Sequence, residues 1–395
     1  MKLPVYLDNN ATTKMDSAVL DEMMPYFIEN YGNAASRSHV LGLIAKDAVE
    51  LSRQRVANLI GVHPEEIVFT SGATESDNLA IKGVFEAYKS RGNHIITVST
   101  EHKAVLDTCL HIEKLGGNVT YLKVDKNGFI DLQDLENSVN SSTVLISVMF
   151  GNNETGTIQN IKEIGRIAKK KNILFFTDAT QAVGKVDLNV EENNINLMSF
   201  SSHKIYGPNG VGALYVKRKN PRVKITAQMD GGGHERNMRS GTLNVAGIVG
   251  FGKACEICSE NFKVENERIS LLRDKLEDGL LSIEETYLNS DINRCLPNVT
   301  NISFAHLGST LLNEFSKVIA VSSGSACTSA SLVPSYVLKA QGLSDELAKN
   351  SIRFSLGRFT TEEEIDFTIK TVKESVDNLR KNSISWEVFK FGKSL

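Results

Sequence analysis

Ser201-Ser202-His203-Lys204 puts two hydroxyls, an imidazole and an amine on four consecutive positions. The apolar run at 196–200 reads as a strand, Gly207-Pro208 turns the chain, and 212–216 reads as a second short strand. Lys204 therefore sits at the mouth of a sheet. A lysine there is either a solvated loop charge or an amine held to form a Schiff base with an aldehyde cofactor. The second chemistry needs companions: a carboxylate for a protonated ring nitrogen, a cradle for a phosphate, and a flat group against the ring.

Candidates for each lie elsewhere in the chain. Asp178 follows the buried-looking strand 173–176. It reads as a turn former, or as the anion that keeps the pyridine nitrogen of pyridoxal phosphate (PLP) protonated. Gln181, one turn on, and Asn153, at the end of a neighbouring strand, are in place for the ring hydroxyl. Ser71-Gly72-Ala73-Thr74-Glu75-Ser76 links a β-rich run at 66–70 to a helix. Strand, small-residue turn, helix aims free N–H groups at an anion, although many α/β turns share the pattern. His102, in a polar break after a strand, is either structural or a ring stacked on the cofactor with acid/base capacity. Arg353 is a lone cation in a strand-like run, suited to a structural ion pair or to clamping a carboxylate. Cys327 lies among small polar residues beside Gly324, a composition that builds loops. A thiol there is poorly placed for packing and well placed for chemistry, although Gly/Ser loops also serve as plain connectors. Residues 231–242 form a polar segment whose glycines admit close backbone approach.

The elements that must carry these groups alternate. Strands at 94–98, 118–124 and 143–150 are interleaved with helices at 104–115, 131–139 and 161–171, and helices precede them at 16–29 and 40–60. This pattern predicts a mostly parallel sheet covered on both faces, with ligands at the carboxyl ends of its strands. A strand is expected at 5–13. Past about residue 257 the texture changes to an amphipathic helix at 259–282, short strands near 299–304, a Ser/Gly-rich loop and a helix near 361–380. The division expected is a large domain, 15–257, and a smaller α+β domain made of 1–14 with 258–395, carrying the loop 322–333.

At 395 residues and 41% apolar composition the chain can bury a large core. A net charge of −3 gives no electrostatic case for nucleic acid or an anionic membrane. No apolar run reaches bilayer length, and the N-terminus resembles neither a signal nor a transit peptide, so a cytoplasmic location is expected. The five cysteines are odd in number and sparse, which fits a reducing compartment. Cys255 and Cys258 form a C-x-x-C with no second pair or nearby histidine to complete a zinc set, so they read as structural.

Taken together, Tyr6-Leu7-Asp8, Ala11-Thr12-Thr13, 70–79, 100–105, 152–154, 178–181, 199–208, 231–242, 322–330 and 351–359 resemble, in order and nearly end to end, the NifS/IscS family of cysteine desulfurases. These are PLP enzymes of fold type I, and the cysteine loop is most similar to the housekeeping IscS branch. The resemblance implies a seven-stranded, mostly parallel sheet. It implies PLP on Lys204, His102 stacked on the ring, Asp178 at its nitrogen and Gln181 at its hydroxyl. Ala73, Thr74, Ser201 and His203 would hold the phosphate, with Thr242 reaching it from the other subunit of a homodimer. Asn153 and Arg353 would hold L-cysteine. Cys327 would carry the sulfur as a persulfide towards an iron–sulfur scaffold protein and other acceptors, including tRNA thiolation, with transient cluster ligation by Cys327 as a further expectation. Selenocysteine lyase, another fold type I enzyme and a non-catalytic sulfur-relay partner are the alternatives. The sequence departs from the family at Asn9-Asn10, at Ser202, where glycine is common, and at Leu395, where some relatives continue into a scaffold-docking tail.

Overall fold

The computed structural model describes residues 2–323 and 334–392, so Cys327 and its neighbours lie outside the described residues. Thirteen strands occur among the described residues: β1 (Val5–Tyr6), β2 (Ile67–Thr70), β3 (His94–Val98), β4 (Asn118–Leu122), β5 (Thr143–Ser147), β6 (Leu174–Asp178), β7 (Leu197–Ser201), β8 (Gly212–Val216), β9 (Thr286–Leu288), β10 (Val299–Phe304), β11 (Ile319–Ala320), β12 (Ser322–Ser323) and β13 (Ser351–Ser355). Seven of them form one sheet in the order β2-β8-β7-β6-β5-β3-β4. All run the same way except β8, which pairs antiparallel with β2 and β7. The fold is therefore the expected α/β arrangement with a mostly parallel seven-stranded sheet. Every residue of β2, β3, β5, β6, β7 and β8 is buried, the mark of a sheet covered on both sides.

Helices supply the cover. Ala73–Ala87 and Lys103–Lys114 pack one face through Leu79, Val84, Val105 and Ile112. Val40–Ile60, Ile161–Lys170 and the first half of Val245–Leu281 pack the other through Val49, Val56, Ile164 and Phe251. Apolar residues three and four apart write these faces, as in Ile161, Ile164, Ile167 and Ala168. Gly61 ends Val40–Ile60 in the left-handed conformation at φ 69°, where its N–H closes onto the last turn.

A second core lies under a four-stranded sheet of order β12-β13-β10-β9, with β1 paired to β11 beside it. Val245–Leu281 joins the two cores. Cys255 and Cys258 belong to the first, and Ile269, Leu272, Leu276 and Leu280 to the second. The sequence pattern starts this helix at 259. It begins at Val245 because its first turns are buried on several sides and carry no amphipathic stripe. Its glycines are there for close packing: a Cβ on Gly252 would stand 2.7 Å from Ser52 Cα. The expected strand 5–13 shrinks to β1, and the expected helix 16–29 is split at Met24-Pro25, because proline has no N–H to continue the ladder. Among the described residues no helix is long and apolar enough to cross a membrane.

One buried ion pair fixes the strand that feeds the small-residue turn. Arg53 grips Glu235 through both terminal nitrogens at 2.7 and 2.8 Å, and Glu235 Oε2 also accepts the Phe69 N–H at 2.7 Å. Glu235 adopts φ 46°, an uncommon conformation for a residue with a side chain. Glu235→Gln leaves Arg53 buried with only the half-exposed Glu50 as a counter-charge and is expected to cost about 3 kcal/mol, read as a fall of several degrees in the thermal midpoint. The double replacement Arg53→Met/Glu235→Leu should recover part of the loss, because the Phe69 N–H is left without its acceptor.

Candidate active site

The carboxyl ends of β2, β3, β5, β6 and β7 open into one cavity of about 1020 Å³. Ala73, Thr74, His102, Asn153, Asp178, Gln181, Ser201, His203, Lys204 and Arg353 all line it, so the fold brings together ten of the residues singled out by sequence. Thr242 does not line the cavity of its own chain and is exposed.

Lys204 ends a short 3₁₀ turn, Ser202–Lys204, directly after β7. Its Nζ donates to the carbonyls of Asn10 at 2.5 Å and Ala11 at 2.6 Å. Asp178, the last residue of β6, is 6% exposed and accepts the Thr180 N–H at 2.9 Å. Behind it lie two further buried acids, Asp77 and Glu101. Burial first, and the charge of Asp178 second, push both well above the usual carboxylate range.

The turn after β2 presents backbone donors to the cavity. Gly72 caps the helix Ala73–Ala87 at φ 153° without a side-chain cap, so the first N–H groups have no intrahelical acceptor. A Cβ on Gly212 would stand 2.7 Å from Gly72 Cα, so glycine there lets β8 approach the turn. His203 lies beside it, with Nδ1 3.1 Å from Thr12 Oγ1. Burial and the Lys204 charge push His203 down to about 4, so it is neutral. Ser202, the departure from glycine, is buried with its Oγ where any side chain at Gly207 would sit, 2.0 Å from that Cβ position. Glycine at 207 thus absorbs the added hydroxymethyl group.

His102 caps the helix Lys103–Lys114, its Nδ1 accepting the Ala104 N–H at 3.2 Å. Burial lowers its pKa. With Nδ1 accepting, the neutral ring carries its proton on Nε2. Arg353, 5% exposed, donates to Asp8 Oδ1 at 2.6 Å and to the Asn153 carbonyl at 3.0 Å, while its Nε has no partner. The buried oxygens Asn153 Oδ1 and Thr180 Oγ1 are also unpartnered. Free donors at a helix start, a buried carboxylate, an amine and unpaired polar atoms around one cavity fit a phosphate-bearing, ring-nitrogen cofactor such as PLP.

Sequence reasoning missed several contributors. Asn10 serves the site through its backbone carbonyl, which carries no residue signature. Asp8 was visible only as part of a motif. Glu154, visible only within the 152–154 stretch, is buried in the cavity wall and accepts from Ser335 Oγ at 2.5 Å. Burial pushes it up to about 7. The folded chain therefore keeps this proton at pH values where the unfolded chain has lost it, so its contribution to stability falls as pH rises from the ordinary carboxylate value to about 7. Glu154→Gln removes the titration, and its thermal midpoint relative to the parent should rise from pH 5 to pH 8; a pH-independent difference contradicts the assignment.

Residues 5–367 match the model of the aminotransferase class-V family. The chain is 55% identical over 394 residues to the cysteine desulfurase IscS of Pectobacterium carotovorum, covering 99% of this chain and 97% of that protein. It is equally 55% identical over 397 residues to the IscS of Escherichia coli O139:H28, covering 100% and 98%. Among solved structures, a NifS-like protein superposes with a TM-score of 0.88 at 41% identity, covering 95% of this chain and all of that one. SspA in complex with cysteine superposes with a TM-score of 0.81 at 36% identity, over 90% and 100%. A lysine, a buried carboxylate and an anion cradle converge here on a chain alike from end to end to these proteins, which places it in the aminotransferase class-V family, among the cysteine desulfurases.

Proposed function

We propose that the chain takes sulfur from L-cysteine with PLP seated in this cavity, releases L-alanine and passes the sulfur on as a persulfide of Cys327. The reaction class and cofactor are those of its family. The observation that carries the assignment of roles is the convergence of Lys204, Asp178 and the Gly72–Thr74 turn on one cavity.

In this reading Ala73, Thr74, Ser201 and His203 hold the phosphate, Asp178 pairs with the ring nitrogen, Gln181 with the ring hydroxyl, and the flat His102 ring lies against the cofactor. PLP, when bound, supplies a sink for the electron pair left at Cα. Arg353, oriented by Asp8 and the Asn153 carbonyl, grips the substrate carboxylate with its remaining N–H groups, beside Asn153. The Lys204 amine takes the Cα proton. His102 accepts the substrate thiol proton at Nδ1 and gives up its bond to the Ala104 N–H. The Cys327 thiolate then attacks the substrate sulfur. An S–S bond forms, the C–S bond breaks with its pair left on Cβ, and protonation of Cβ together with return of a proton from Lys204 to Cα gives alanine.

Thr242 serves the phosphate of a second copy, so the working unit is a homodimer. The sulfur goes to an iron–sulfur scaffold protein and to other acceptors, tRNA thiolation among their uses, and Cys327 transiently ligates a nascent cluster. The location is cytoplasmic, in keeping with the unpaired thiols of the four described cysteines.

The test is stoichiometric: cysteine and a reductant should yield alanine and sulfide in equal amounts. Asp178→Asn should keep PLP bound through its phosphate and lose about a hundredfold or more in kcat, the loss typical of removing one preorganised electrostatic group. Alanine without sulfide overturns the reaction; an unchanged kcat overturns the role of Asp178.

A further inference from the structure

Lys185 is a buried amine for which the reaction above has no use. It is 9% exposed and lies four residues after Gln181, in the turns that follow β6. Its Nζ donates to Gln181 Oε1 at 3.0 Å. Gln181 Nε2 donates to the Asn10 carbonyl at 2.9 Å, and the same carbonyl accepts from Lys204 Nζ at 2.5 Å. One chain of hydrogen bonds thus runs from Lys185 through Gln181 and Asn10 to the reacting amine.

Burial first, then the charge of Lys204, pushes Lys185 down to about 7; Arg353 and the Cys258 thiol also act on it, and none of these groups is a carboxylate. An amine buried without an anion is costly, and an apolar side chain would fill the space at less cost. What the amine provides is direction. The two ends of a carboxamide are alike in shape and opposite in chemistry. With a donor facing it, Gln181 must turn its oxygen to Lys185 and its NH₂ to Asn10, and this leaves the second N–H for the cavity.

We propose that Lys185 is a positioning residue: it locks the Gln181 amide so that an N–H, not a carbonyl, meets the ring oxygen of the cofactor. This rests on the reading that Gln181 meets the ring hydroxyl.

The test is binding to the apoprotein, measured calorimetrically, of PLP and of its analogue lacking the ring hydroxyl. The parent should prefer PLP by about tenfold, the worth of a hydrogen bond to a charged acceptor. Lys185→Met should lower the preference about threefold without lowering the thermal midpoint, the Asn10 carbonyl alone then holding the amide. Lys185→Gln should do the same, because an amide can meet Gln181 by either end, and it serves where the methionine variant fails to fold. Gln181→Leu should abolish the preference. If Gln181→Leu abolishes it while the Lys185 variants keep it in full, or lose only stability, the positioning role is overturned. If Gln181→Leu keeps the preference, or the parent has none, the contact between Gln181 and the ring hydroxyl falls, and the role of Lys185 with it.

Discussion

Lys204→Ala is expected to stop turnover, lowering sulfide release by about four orders of magnitude, the upper end of what one positioned proton-transfer group contributes. The same nitrogen serves as attachment point for the cofactor and as base at Cα, so no neighbour can replace it. Lys185 is the other amine nearby, and it is committed to Gln181. The fold should survive, because Lys204 is only half-buried and belongs to neither core. The Asn10 carbonyl keeps a donor in Gln181 Nε2. The variant should therefore melt within a few degrees of the parent, bind PLP without the yellow colour of the attached cofactor, and release neither alanine nor sulfide. Multiple turnover by this variant would remove Lys204 from the reaction.

Cys327→Ser is expected to leave cysteine binding within about threefold and to reduce alanine and sulfide together by at least about a thousandfold, since a hydroxyl is not the nucleophile that a thiolate is. The other four thiols are poor substitutes. Cys109, Cys255 and Cys258 are buried and Cys295 is largely so. Burial pushes Cys109 and Cys258 up to about 12, Cys295 up to about 11, and Cys255 well above the ordinary thiol value. Burial thus holds all four in the thiol form at the expense of the thiolate. None is equipped to attack a substrate sulfur. Mass spectrometry of the parent after one turnover should place the added sulfur on the peptide containing Cys327. Sulfur on any of the other four would overturn the assignment.

Much of this site was legible because its pieces are local. The turn at 71–76 and the ends of β3, β6 and β7 announce themselves as polar clusters after apolar runs, and each lands in the cavity. What was not legible is long-range or carried by the backbone. Asp8 meets Arg353 across 345 residues, and the acceptors of Lys204 are carbonyls 194 and 193 residues away. No spacing rule spans such gaps. The reversal of β8 was hidden because apolar alternation does not encode strand direction. The first turns of Val245–Leu281 were hidden because glycines that permit close packing also lower helix propensity. Lys185 looked like any surface lysine, since nothing in its neighbourhood marks it as buried.

The segment that pins Lys204 also dictates an order of events during synthesis. Residues 5–12 leave the ribosome early, yet β1 pairs with β11 at Ile319–Ala320, Asp8 with Arg353, and the Asn9 N–H with the Ser355 carbonyl at 3.1 Å. The large sheet, complete by Val216, can collapse while these partners are still untranslated. Until β13 emerges, the turn bearing Asn10 and Ala11 is held only from the large sheet, by Thr13 on the His203 carbonyl and by Gln181 on the Asn10 carbonyl, and lacks its anchors at Ser355. Closing so distant a contact is slow, because its entropy is lost before the pairing repays it. A nascent chain halted before residue 351 would therefore hold a folded sheet but lack the β13 anchors of this turn, and the full set of contacts around the amine arrives only with that last strand.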